Sequence, residues 1–505
     1  MNRFSDSVSM VGICLLSCVL AIPVANAKDQ PQWGERFSRN MISDEKGLPD
    51  GFDPATGKNV KWSVEVGDET HGTPIVAKGK VFIGTNNGHP RDSRHKGDRG
   101  VLMCFDEKDG SFCWQLVVPK ITTSLFWDWT GAGICSPATI EDDRLYIVSN
   151  RGEVMCLDIN GMANGNDGPF RDEGRHMMPV GQDAIEAGKT DADIIWLFDT
   201  IKECNIRQHD SAHCSILLDG RFLYVNTSNG TDDTHRHIAS PDAPCLIVVD
   251  KTTGKIVARD DEHVGPNIFH CTWASPSLGE VNGRNLIFYA APNGVVYAFE
   301  PVKAVTDEIQ KLKKLWWFDM DLAAAKEHVH RFVGNRIESP STIHAMPVFY
   351  KNRVYFAGGG DIWWGKRQSW LKCVDATKTG DITKTAEIWS CPLARHVLST
   401  PAIYDGMVFI ADSGRKIHCV DAETGKPLWT HDVEGEMWAS PLVADGKVYI
   451  GTRRGEFVVL AAGREKRVIN SIELDGPVSG TATAANGVLY VVTQKRLYAV
   501  QESRR

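Results

Sequence analysis

Thr400-Pro401, Asp405-Gly406-Met407-Val408-Phe409-Ile410, Cys419-Val420-Asp421-Ala422-Glu423-Thr424-Gly425-Lys426 and Trp429 are followed by Ser440-Pro441 and Asp445-Gly446-Lys447-Val448-Tyr449-Ile450-Gly451. The two runs are tandem copies of one β unit. Pro441 stands where a strand begins, a position that tolerates the missing N–H. Asp445-Gly446 is a two-residue hairpin turn, because glycine accepts positive φ. Val448-Tyr449-Ile450 is a β-prone run. Thr424-Gly425-Lys426 is a second turn, and Trp429 closes the outermost strand with a large apolar surface.

Outward from this pair, the same register recurs along the chain. Copies begin near Pro74, Pro137, Ile216, Pro276, Pro347, Pro401, Pro441 and Ala482. Trp62 stands where an outer-strand tryptophan belongs, ahead of the first copy. The last copy ends at Val500 without one. Lys61 to Val66 is therefore expected to supply the outer strand of the final unit and close a ring, which removes exposed sheet edges. Short strands repeated at this period predict an all-β, eight-bladed propeller over residues 61–505. An extension over 28–60 precedes it.

The pattern of Ser-Pro, Asp-Gly-x-Val-Tyr, Asp-Ala-x-Thr-Gly-Lys and Trp resembles the pyrroloquinoline-quinone (PQQ) repeat of quinoprotein-like propellers. That repeat occurs in periplasmic quinoprotein dehydrogenases and in a non-enzymatic outer-membrane barrel-assembly scaffold with eight blades. The loop-rich form seen here is also similar to PQQ-like repeat proteins of planctomycetes, which have no assigned activity. The resemblance implies fold strongly and function weakly. It implies PQQ with Ca²⁺ as cofactors for a dehydrogenase, held between a tryptophan and a vicinal disulfide. No adjacent Cys-Cys pair is present. Because PQQ is polyanionic, a site for it needs Arg or Lys, for which Arg207, Arg331 and Arg336 are available.

The first 27 residues read as a secretory leader. Arg3 opens it, Val11 to Ile22 is its apolar stretch, and Ala25-Asn26-Ala27 is its cleavage site. A second reading makes Leu15-Leu16-Ser17-Cys18 a lipoprotein box with Cys18 lipidated. Both place the chain in the periplasm or outside the cell, and no further segment is long and apolar enough to span a bilayer. A net charge of −8 argues against a nucleic-acid partner. Thirteen cysteines less the two in the leader (Cys14, Cys18) leave 13 − 2 = 11, an odd number. Cys104, Cys156, Cys373 and Cys419 fall at one repeat phase, as small core residues would.

Extra residues are unevenly placed. Asn86 to Gly100, Ser228 to Pro244 and Gly358 to Trp370 lengthen the loops between second and third strands. Lys120 to Ile134, Asp199 to Ala212, Asp260 to Thr272 and Asp319 to Ile343 lengthen the segments between blades. Both kinds of loop share one face of a propeller, so these insertions are expected to converge there. Asn160 to Asp193, a Gly/Asn/Asp-rich segment with a faint calcium-loop look, belongs to the opposite face. Val302 to Leu315, with apolar residues at helical spacing, is expected to form a surface helix.

Three residues before the repeat starts lie His71, Ile134, His213, Trp273, His344, Leu398, Trp438 and Ser479. These positions form a ring around the axis. His71, His213, Trp273, His344 and Trp438 are the candidate cofactor- or ligand-binding residues, with a planar ligand stacked on a tryptophan. His209, Asp210, His235 and His237 are the candidate metal ligands, since imidazoles with a carboxylate suit a transition metal. His263 and His270 lie in the same dense His/Asp region. No residue is singled out as catalytic: there is no G-x-S-x-G elbow, and Gly358-Gly359-Gly360 precedes no helix. The function expected is a binding or scaffold module whose partner is a small molecule or an envelope protein. A PQQ-dependent alcohol or sugar dehydrogenase is the alternative, and a metal-dependent enzyme is third.

Overall fold

The computed structural model describes residues 28–121 and 124–502. The leader and the Arg504-Arg505 tail lie outside the described residues. Eight separate sheets form the blades of a propeller, each starting where a repeat copy was read. Blade 6 is the plainest. Its strands Ala402–Tyr404, Met407–Asp412, Lys416–Asp421 and Pro427–Asp432 pair antiparallel in sequence order. Asp405 and Gly406 turn the first hairpin at φ 46° and 72°. The ring closes as expected: Val60–Glu65 pairs antiparallel with Arg496–Val500 as the outer strand of blade 8.

The repeat residues hold neighbouring blades together. The outer-strand tryptophan of one blade donates its indole N–H to a turn carbonyl of the next. Trp62 bonds Glu107, Trp114 bonds Ile159, Trp196 bonds Lys251, Trp389 bonds Ala422 and Trp429 bonds Gly463. The turn glycine lets the ring sit close. A Cβ on Gly425, which has φ +69°, would lie 2.6 Å from the Trp389 ring. The phased cysteines pair across the ladder from these tryptophans, as Cys104 with Trp114 and Cys419 with Trp429. All eleven cysteines among the described residues are free thiols. Gly425→Ala should therefore lower stability by about 1–3 kcal/mol, through backbone strain and overpacking. Urea denaturation measures this, and an unchanged midpoint would refute the docking role.

The extension at 28–60 winds around the axis. Gln30 bridges to Val76, and the Pro31 carbonyl accepts from Ile140. The carbonyls of Phe37, Ser38 and Met41 accept from Leu278, Phe349 and Val443. Ile42–Ser43 then adds a short parallel edge to blade 7. The segment's backbone thus touches the innermost strands of five blades in turn. Arg39 anchors it. This guanidinium is fully buried and donates to the carbonyls of Trp33, Ser215 and Pro276 and to the Ser215 hydroxyl. Burial lowers its pKa to about 10.

Two expectations are corrected. Val302 to Leu315 holds no helix; Gln310–Lys311 is a short strand running parallel to blade 3's outer strand. Of its apolar residues, Leu312 is buried, while Val305 and Ile309 are exposed. Asn160 to Asp193 leaves the opposite face and climbs over blade 1. Asp191 bridges to Gln115, and Arg94 of the mouth-side loop pairs with Asp191 and the Glu186 carbonyl. No helix among the described residues is long and apolar enough to cross a membrane.

Candidate functional site

The mouth of the axis is a cavity of about 350 Å³ with Trp33 of the extension in its wall. That volume is at the lower end of small-molecule sites. Seven of the eight ring positions line it; Ile134 is buried behind the wall. His71 stacks on Trp438 with ring centres 5.8 Å apart. Trp273 lies 4.9 Å from His213 and 5.0 Å from His344. Trp363, from the blade 5 insertion, spans from Trp273 (5.5 Å) to Trp438 (6.0 Å). The buried Trp273 Nε1–H has no hydrogen-bond partner. Burial, with His71 and His344 nearby, pushes the His213 pKa down to about 3.

The insertions do converge on this face. Phe126 and Trp129 come from the segment before blade 2, Asp210 from that before blade 3, and His270 from that before blade 4. Lys120 pins the first by binding Asp128 at 2.8 Å and the Trp129 and Ala132 carbonyls. Asp361 organises the far wall. Its Oδ1 accepts the backbone N–H groups of Trp363 and Trp364, and its Oδ2 lies 3.0 Å from His270 Nδ1 and 3.3 Å from His344 Nε2. Asp361 is fully buried, yet His270 and His344 hold its carboxyl well below the usual range. Burial lowers the His270 pKa, but Asp361 outweighs it and the net shift is upward.

Of the four expected metal ligands, three meet. His209 Nε2 and His235 Nε2 lie 3.0 Å apart, and Asp210 Oδ1 is 3.5 Å from His209 Nε2. His237 is exposed and lies outside the cluster. Its place is taken by His270, whose Nε2 is 3.6 Å from Asp210 Oδ2. His209, His235 and His270 could together hold a metal ion. Burial first, then His270 and His235, lower the His209 pKa, and burial and His270 bring that of His235 down to about 4. Burial raises the Asp210 carboxyl to about 6, against the pull of His270.

The lining does not fit the PQQ and Ca²⁺ implied by the resemblance. Arg453 is its one Arg or Lys, and its guanidinium is stacked 4.1 Å over Trp438 and bonded to Ser479. Arg207 instead pairs with Asp233, Arg336 binds the carbonyls of Ile362, Trp363 and Gly365, and Arg331 is exposed. Glu69 and Asp210 add negative charge to the wall, and no asparagine lines it. A polyanion finds the charge reversed.

Sequence reasoning missed Trp33, Arg453 and the hub role of Asp361. Trp33 lies outside the repeat and has no phase to betray it. Asp361 does carry a local signal, Asp-x-Trp-Trp, in which a carboxylate can cap the N–H groups two and three residues on.

Comparison with known proteins gives the same architecture. The family described as "Outer membrane protein assembly factor BamB" matches residues 367–466, from late blade 5 into blade 7. A 1-butanol dehydrogenase (cytochrome c) of Thauera butanivorans is 32% identical over 94 residues, covering 16% of this chain and 14% of that protein. A quinohemoprotein alcohol dehydrogenase of Comamonas testosteroni is 27% identical over 116 residues, covering 20% of this chain and 16% of that protein. The chain thus matches only a small part of either relative's length. Among solved structures, BamB of Moraxella catarrhalis superposes with TM-score 0.53 at 13% identity, over 88% of this chain and 97% of that one. A europium-containing methanol dehydrogenase superposes with TM-score 0.59 at 11% identity, over 94% and 89%. At such identities the likeness is one of fold. With the repeat, the tryptophan docking and the closed ring of eight blades, these matches make the chain a PQQ-repeat, quinoprotein-like β-propeller.

Proposed function

We propose that the chain is a ligand-binding propeller acting outside the cytoplasm, and that its axial mouth takes a small, flat, largely apolar molecule. The observation supporting this most is the Trp273 indole. It stands in the cavity wall among aromatic rings, and its N–H is buried with no partner. A flat molecule would lie against these ring faces, where stacking and edge contacts favour it. A scaffold that only docks proteins on its rim has no need of an enclosed aromatic mouth.

Titration of tryptophan fluorescence with 1-naphthoate, 4-hydroxycinnamate and 2-naphthol tests this reading. At least one should quench saturably. Trp273→Ala should weaken that affinity about tenfold or more, a loss of about 1.4 kcal/mol. Loading with PQQ and Ca²⁺ should leave no retained quinone absorbance and no reduction of an artificial acceptor. Acceptor reduction would replace this reading with the dehydrogenase one. Absence of any quenching, with capture of an envelope protein instead, would replace it with the scaffold one.

A further inference from the structure

We propose that His209, His235 and His270 form a binding site for one divalent transition-metal ion of the zinc class, set into the wall of the axial mouth with Asp210 beside it. The site is independent of the organic ligand proposed above. An ion about 2.0–2.1 Å from each of four tetrahedral donors holds them about 3.3 Å apart. His209 Nε2 and His235 Nε2, 3.0 Å apart, stand close to that value. The ligand nitrogens of the three histidines all lie within 4.8 Å of one another.

The outer partners are those a metal-binding imidazole needs. His209 Nδ1 lies 2.8 Å from the Thr231 carbonyl, which can only accept, so this nitrogen carries the proton and Nε2 keeps its lone pair. His270 Nδ1 is held by Asp361 at 3.0 Å, which likewise turns Nε2 toward Asp210. A carboxylate or carbonyl behind the ring fixes both tautomer and orientation, and adds basicity at the ligand nitrogen.

Local structure points the same way. Asp210 and His235 both have left-handed backbones, φ 61° and 58°. Such conformations persist where the surroundings over-determine them and cluster at binding sites. Asp210 Oδ1 is buried without a hydrogen-bond partner. A metal ion nearby would offset the surplus of Glu69 and Asp210 over Arg453 in the wall. Three imidazoles suit zinc, cobalt, nickel or copper rather than calcium or magnesium. Other clusters lack this character. Asp92, His95 and Asp191 already have Arg94 paired with both carboxylates. His344 joins His270 only through Asp361, which its hydrogen bonds already engage.

The test uses the full chain without a polyhistidine tag, stripped with a chelator and titrated with Co²⁺. One equivalent should bind, with visible absorption of a four-coordinate ion that Zn²⁺ abolishes by displacement. His235→Ala should weaken binding by about 100-fold or more, while Asp92→Ala leaves it unchanged. X-ray absorption of the Zn²⁺-loaded wild type should show three imidazoles, and it does not depend on any variant folding. Absence of Co²⁺ absorption, fewer than two imidazoles on zinc, or wild-type affinity in a folded His235→Ala would each overturn the proposal.

Discussion

Asp361→Ala should lower the stability of the propeller by about 3 kcal/mol or more, since each buried polar group left unpaired costs about 1–3 kcal/mol. The carboxylate is fully buried against His270 and His344, and it also caps the turn that carries Trp363 and Trp364. Its loss leaves two buried imidazoles without this acceptor and frees two backbone N–H groups at once. Asp361→Asn separates the two roles. The amide oxygen still caps the turn, so much of the stability should return. The charge behind His270 is gone, so Co²⁺ affinity should remain about 10- to 100-fold weak, as for other partners that orient a ligand from behind. Chemical denaturation and Co²⁺ titration of the two variants measure this split. Equal stability of Asp361→Ala and the wild type would show that the hub is not structural.

Arg39→Ala should cost about 3 kcal/mol or more and loosen the floor of the mouth. Two buried carbonyls, of Ser215 and Pro276, and the part-buried one of Trp33 would lose a charged donor, and each buried acceptor left unpaired costs about 1–3 kcal/mol. Arg39→Lys should recover less than half of the loss. An ammonium cannot serve several carbonyls with the fixed fork of a guanidinium. Because Trp33 both lines the cavity and accepts from Arg39, ligand quenching should weaken in the alanine variant alongside its denaturation midpoint. An unchanged midpoint would mean that the extension is an ornament on a self-sufficient ring.

These two residues mark how far the sequence could be read. Blade count, strand register, ring closure through Trp62 and the convergence of insertions were all legible, because a repeat prints the same turn glycines and ladder residues many times. The ring of His71, His213, Trp273, His344 and Trp438 followed from that register alone. Arg39 and Trp33 were not legible, since a single segment threading an axis leaves no periodic trace. His237 was expected in the cluster through its nearness to His235, yet alternate residues in a loop need not face the same way, and it points to solvent. His270 takes its place from another blade interval, a partnership that only the closed ring creates. The Val302 to Leu315 spacing fitted a helix, but the segment instead runs largely irregular, with only Gln310–Lys311 pairing as a parallel edge on blade 3.

The most direct check on the central claim, that insertions from distant blade intervals build one binding mouth over an axis crossed by the 28–60 extension, is a crystal structure of the protein soaked with 1-naphthoate. Density for the ring is expected within the mouth, in contact with Trp273 and above Trp33. A ligand seated between blades or on the outer rim, or an axis open from end to end, would contradict it.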